Sequence, residues 1–119
     1  MLTLYGIRNC DTVKKARKWL EAHNVEYRFH DYRQQGLEEE TLRGWVADLG
    51  WEVLLNRRGT SWRKVAEPLK SGIDRENAIR LMLTTPALIR RPVLDTGEVR
   101  IVGFKEADYE RVFASRHPC

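Results

Sequence analysis

"LTLYGIRNCDTVKKARKWL", residues 2–20, changes its period partway along. Leu2 to Tyr5 is a short apolar and β-branched run, which predicts a strand. Gly6-Ile7-Arg8-Asn9 reads as a loop. From Cys10 to about His23 the apolar residues fall at Val13, Ala16, Trp19 and Leu20, a helical spacing. One of the chain's two cysteines therefore stands where a strand hands over to a helix. Either Cys10 is a small packing residue, or it is a nucleophile held where its thiolate is stabilised.

The remaining pattern extends this opening. Residues 25–32, "VEYRFHDY", alternate Val25, Tyr27 and Phe29 against Glu26, Arg28 and His30, predicting a second strand. Gly36 marks a turn. Leu42, Trp45, Val46 and Leu49 predict a helix stopped by Gly50. "WEVLLN" has no clear period, "SWRKVA" predicts a helical turn, and Pro68 predicts a break. Asp74 predicts the cap of a helix that buries Ala78, Leu81 and Met82. "TTPALIRRP" reads as an irregular connection. "VLDTGEVRIV" reads as two strands joined at Asp95-Thr96-Gly97, and a last helix carries Tyr109, Val112 and Phe113. The predicted fold is α/β and thioredoxin-like. It has a mixed four-stranded sheet of a βαβ half and a ββα half, with a helical insertion between them. All 119 residues read as one domain, with core segments at about 1–35 and 85–119 and the insertion at about 36–84.

Composition narrows the function classes. A chain of 119 residues, 42% hydrophobic and 32% charged, can bury a core without a disulfide framework. No apolar run approaches the ~20 residues of a membrane span, and the first residues do not read as a signal peptide. The expected location is the cytoplasm. Two cysteines and the scattered His23, His30 and His117 show no metal-ligand spacing, so no metal is expected. The net charge of +4 comes from 21 basic and 17 acidic residues that are interleaved, so no stripe for direct nucleic-acid binding forms.

A helix start supplies unpaired N–H groups and partial positive charge, both of which favour a thiolate at Cys10. Arg8 and Lys14 add positive charge, whereas Asp11 opposes the anion. Val13 occupies the place where a CxxC motif would put a second cysteine. The resolving thiol must then come from outside that motif, from free glutathione or a partner protein. Cys119, after Arg-His-Pro at the chain end, reads as an incidental thiol rather than the resolving one.

"YGIRNCDTVKKARKWL", "NRRGTSWRKV" and "RRPVLDTGEVRIVGF" together resemble the arsenate reductase (ArsC)/Spx-like family of thioredoxin-fold proteins, in its small YffB-type branch. The resemblance covers nearly the whole chain. It implies a catalytic cysteine at Cys10 and oxyanion-binding arginines at Arg57 or Arg58 and at Arg91. It also implies a cis peptide at Arg91-Pro92. The family's third arginine lies in a Gly-Arg context, but this chain reads Gly103-Phe104-Lys105, and lysine lacks arginine's planar fork.

The resemblance implies a glutathione-dependent thiol/disulfide reductase. Cys10 would form a mixed disulfide, with Arg8, Asn9, Arg57, Arg58, Arg91 and Pro92 binding glutathione or substrate. Glutathione would be the cosubstrate, and a disulfide or oxidised thiol the partner. Two alternatives stay open: arsenate reduction at Cys10, and a Spx-like regulator that binds RNA polymerase. In "NRRGTSWRK", Arg57, Arg58, Arg63 and Lys64 with Thr60 and Ser61 suit an anion pocket, while Trp62 suits packing.

Overall fold

The computed structural model describes residues 2–114, so Cys119 and His117 lie outside the described residues. Strand β1 (Leu2–Gly6) leads into helix α1 (Asp11–Ala22), and β2 (Tyr27–Asp31) follows. Strands β3 (Val93–Asp95) and β4 (Arg100–Val102) come late in the chain. The sheet order is β2-β1-β3-β4, with β1 parallel to β2 and both other pairings antiparallel. This is the mixed four-stranded α/β sheet that the element order implies. The described chain groups into two compact units. The sheet unit holds the residues up to Asp31 and from Arg91 onward, and the helical unit runs from Tyr32 to Arg90.

In the sheet unit, Leu4 pairs with Phe29 on one side and Leu94 on the other, and Leu94 pairs with Ile101. One face of the sheet therefore carries an apolar row. Ala16, Trp19 and Leu20 of α1 cover it, with Tyr109 and Phe113 of the last helix. Trp19 meets the Tyr109 ring edge-on at 5.5 Å. Leu4, Leu20 and Leu94 are fully buried, each worth roughly 2 kcal/mol of apolar transfer.

The second strand is shorter than its alternation suggests. Asn24 adopts a left-handed conformation (φ 56°) after α1. The Val25 N–H then donates to Leu20 O at 2.9 Å, and the Asn24 N–H to Glu21 O at 3.2 Å. These bonds form a Schellman motif, whose usual apolar contact is met by Val25 and Leu20 in the same core. Val25 thus closes the helix instead of opening the strand. At the other end, Tyr32 begins the short helix α2 (Tyr32–Gln35).

The helical unit contains α3 (Glu39–Leu49), α4 (Trp51–Leu54), α5 (Thr60–Arg63), α6 (Glu67–Lys70) and α7 (Arg75–Thr84). Gly50, at φ 92°, ends α3 and donates its N–H to Val46 O. The ambiguous "WEVLLN" becomes α4 followed by Leu55, which bridges antiparallel to Ile89. Pro68 does not break a helix. It lies in the first turn of α6, where a missing N–H costs nothing. Asp74 caps α7 as expected, accepting the Asn77 N–H at 2.9 Å. The buried stripe of α7 is Ala78, Ile79 and Met82, and Leu81 is only half-buried at its edge. The hairpin connection spans Thr96 to Val99, two residues past the end of the expected turn at Asp95-Thr96-Gly97, because the Thr96 N–H pairs with Val99 O. The last helix, α8, spans Glu106–Ala114 and buries Tyr109 and Phe113, leaving Val112 half-buried.

Gly6 sets how closely β1 approaches α1. A Cβ on Gly6 would lie 2.8 Å from Val13 Cγ2, below any ordinary contact. Val13 is fully buried, so it has little room to yield. Gly6→Ala is expected to cost about 1–3 kcal/mol through overpacking. Adding Val13→Ala should recover part of that loss, giving less-than-additive destabilisation in urea unfolding. Strict additivity would show that the two side chains do not meet.

Candidate active site

Four residues separate β1 from α1. The Cys10 N–H donates to Ile7 O at 3.2 Å, which folds Ile7-Arg8-Asn9-Cys10 into a β-turn. Cys10 then takes the N-cap position in extended backbone geometry (φ −91°, ψ 127°), and its carbonyl accepts the first helical bond from the Lys14 N–H. Ile7 is buried, Arg8 and Asn9 are exposed, and Cys10 is half-buried. The backbone of the turn is tied to the neighbouring strand, because the Arg8 N–H donates to Asp31 Oδ2 at 3.1 Å.

Arg91 and Pro92 come from the start of β3. Their peptide bond is cis, as the family resemblance implies. The Pro92 carbonyl accepts the Gly103 N–H at 2.8 Å, which fastens this corner to the residue after β4. The Arg91 guanidinium acts on the Cys10 thiol and lowers its pKa. The sheet unit therefore brings Cys10, Arg8, Asn9, Arg91 and Pro92 into one neighbourhood.

Competing effects set the acidity of Cys10. Partial burial is the largest and pushes the thiol up. Against it act the N–H of Val13, the Arg91 guanidinium and the N–H of Thr12, and together they bring the thiol below its ordinary value. These amides belong to the open first turn of α1. The stabilising cation comes from a distant residue, Arg91, rather than from Arg8 or Lys14. Lys105 is exposed, and its carbonyl caps the start of α8.

Arg57 and Arg58 lie in the helical unit. They line a shallow cleft with Arg90, Glu52 and Leu55. The Leu55–Ile89 bridge builds it, with the Arg90 N–H donating to Leu54 O at 2.7 Å and the Asn56 N–H to Leu88 O at 2.8 Å. The Arg57 guanidinium lies 5.2 Å from the centre of the Trp51 ring. Arg63 and Lys64 do not line this cleft, and half-buried Trp62 lies beneath Lys70 Nζ. Two residues escaped the sequence reading. Arg90 joins the cationic cleft only through the bridge, though the Arg90-Arg91-Pro92 doublet was visible. Asp31 looked like one more residue of an alternating strand.

Among the described residues no cluster of side chains suits a metal ion, and no helix is long and apolar enough to cross a membrane.

The ArsC family's sequence model matches residues 5–112. The solved structure of the YFFB protein is 50% identical, with 93% of this chain and 97% of that one covered and a TM-score of 0.91. A solution structure of an arsenate reductase (ArsC) related protein from Brucella melitensis is also 50% identical, covering 94% of this chain and 93% of its own, at a TM-score of 0.76. The global transcriptional regulator Spx of Listeria innocua is 28% identical over 120 residues, covering 98% of this chain and 89% of its own.

The lowered thiol has a consequence for stability. A depressed folded-state pKa favours the fold wherever the thiolate is present. The stability of the wild type relative to Cys10→Ser should therefore rise with pH through the folded-state pKa. It should level off above the unfolded value of about 8.5. Urea unfolding at several pH values reads this difference; a fall over the same interval would mean the thiol is raised instead.

Proposed function

The chain belongs to the ArsC family, and from that premise we propose that it is an oxidoreductase, a glutathione-dependent thiol/disulfide reductase whose nucleophile is Cys10. The observation that carries this reading is the half-buried thiol held low in pKa by the Val13 and Thr12 amides and by Arg91. At neutral pH such a thiol has a larger thiolate fraction than free cysteine, and the thiolate is the attacking species.

The reaction has two exchanges. Cys10 S⁻ attacks one sulfur of a substrate disulfide, R–S–S–R′. A Cys10–S–S–R bond forms, the R–S–S–R′ bond breaks, and R′–S⁻ leaves to take up a proton from water. Glutathione thiolate then attacks the R sulfur of that mixed disulfide. Cys10 S⁻ departs, and glutathione carries the oxidising equivalents away as R–S–S–glutathione. The amides that stabilise Cys10 as an attacking thiolate also stabilise it as the leaving group in the second exchange. Arg91 and Arg8 suit the carboxylates of glutathione. Asn9, exposed in the turn, can hydrogen-bond the peptide part of that ligand, and Pro92 fixes the corner that presents Arg91.

Arsenate is the second reading, favoured by the guanidinium beside the sulfur and by the arsenate reductase related protein at 50% identity. The chain reads Gly103-Phe104-Lys105 where the family has Gly-Arg, a departure that argues for disulfide as the better substrate. The Spx relative keeps a regulatory role in view. Val13 is fully buried in this chain, so position 13 serves packing rather than a second thiol.

Cys10→Ser should abolish glutathione-supported reduction of a model disulfide while far-ultraviolet circular dichroism stays unchanged. The unsubstituted protein, mixed with the disulfide in the absence of glutathione, should show a disulfide adduct at Cys10 by mass spectrometry. Full activity in Cys10→Ser would overturn the proposal. Turnover with arsenate but not with disulfides would select the second reading.

A further inference from the structure

We propose that Asp31 is the positioning residue of this site: its carboxylate fixes the turn that sets the Cys10 sulfur against the first amides of α1 and the Arg91 guanidinium. The inference rests on the reading of Cys10 as the reacting thiol and adds a residue that does not touch the reacting atoms.

Asp31 is 4% exposed, the buried charged residue of the described chain. Burying a carboxylate is costly unless hydrogen bonds compensate it. A chain that only needed to end a strand here could use an apolar residue. Instead Asp31 stands opposite Gly6 in the β1–β2 register, at the point where β1 becomes the turn. Its Oδ2 reaches past Gly6 to accept the Arg8 N–H.

The turn has few other anchors. Arg8 and Asn9, its two central residues, are exposed, so their side chains add little packing. Ile7 is buried before them, and Cys10 N–H closes the turn on Ile7 O. The Asp31 bond thus holds the first corner, two residues ahead of the sulfur. Losing it frees Arg8 and Asn9 to shift and lets the sulfur move away from the Val13 and Thr12 amides.

Charge and position predict opposite signs. A negative charge disfavours a nearby thiolate, so any effect of removing the Asp31 charge alone is to lower the thiol pKa. As the anchor of the turn, Asp31 favours ionisation, so removing the anchor raises it. Asparagine separates the two, because its side-chain oxygen still accepts the Arg8 N–H but carries no charge.

The test is the pH profile of Cys10 alkylation by iodoacetamide in the full chain carrying Cys119→Ser. Asp31→Ala should move the midpoint up by about half a unit or more, while Asp31→Asn stays at or below the unsubstituted midpoint. If Asp31→Ala does not fold, Asp31→Ser carries the same expectation, since its hydroxyl is too short to reach the Arg8 amide. In the protein with Asp31 intact, the backbone amide of Arg8, a residue otherwise exposed, should also be protected from hydrogen exchange. Both variants lowering the midpoint would reduce Asp31 to a charge effect. An unmoved profile with lower stability, or an unprotected Arg8 amide, would reduce it to a structural residue. A starting midpoint at or above about 8.5 would overturn the nucleophile reading and this inference together.

Discussion

The first turn of α1 has amides without intrahelical partners, and those of Thr12 and Val13 favour the thiolate of the Cys10 side chain at its start. The rest of the sheet unit serves this interaction. Burial alone would make Cys10 a weak acid and a sluggish nucleophile. The Val13 and Thr12 N–H groups and the Arg91 guanidinium reverse the direction. The reversal requires a particular geometry: β1 must meet α1 closely, the turn between them must be held, and β3 must deliver an arginine. Gly6 allows the close approach because no Cβ stands against Val13. The β1–β3 pairing fixes the corner from which Arg91 reaches the sulfur.

Much of this was legible in the sequence, where side-chain periodicity reports directly on burial. The change from the apolar run Leu2–Tyr5 to the spacing Val13, Ala16, Trp19, Leu20 placed a strand, a loop and a helix around Cys10. Asp74 and Gly50 marked helix ends by local chemistry that needs no tertiary context. Errors arose where tertiary context chose between two local options. Pro68 both breaks helices and starts them. Val25 alternated like a strand residue but was taken by the cap that Asn24 closes. Leu81 fitted the helical period, yet Ile79 took the inward place.

The candidate site was readable only in part, for a similar reason. Cys10 is marked by its place between elements, and Arg91 by the proline that follows it. The residues that act through long-range pairing leave no such local mark. Arg90 joins Arg57 and Arg58 because Leu55 bridges Ile89, a contact between segments more than thirty residues apart. Asp31 reaches Arg8 across parallel strands separated by a whole helix. The cation expected from Arg8 and Lys14, neighbours in sequence, is supplied by Arg91, a neighbour only in the fold.

The most direct measurement is the thiolate absorbance of Cys10 titrated against pH in a Cys119→Ser background, with Arg91 intact and as Arg91→Ala. With Arg91 present, the midpoint should lie below the free-thiol value of about 8.5. In Arg91→Ala it should rise toward that value, because the guanidinium that lowers it is lost. A midpoint at or above 8.5 with Arg91 in place, or one that Arg91→Ala leaves unmoved, would contradict the assignment of Cys10 and Arg91 as a stabilised thiolate pair.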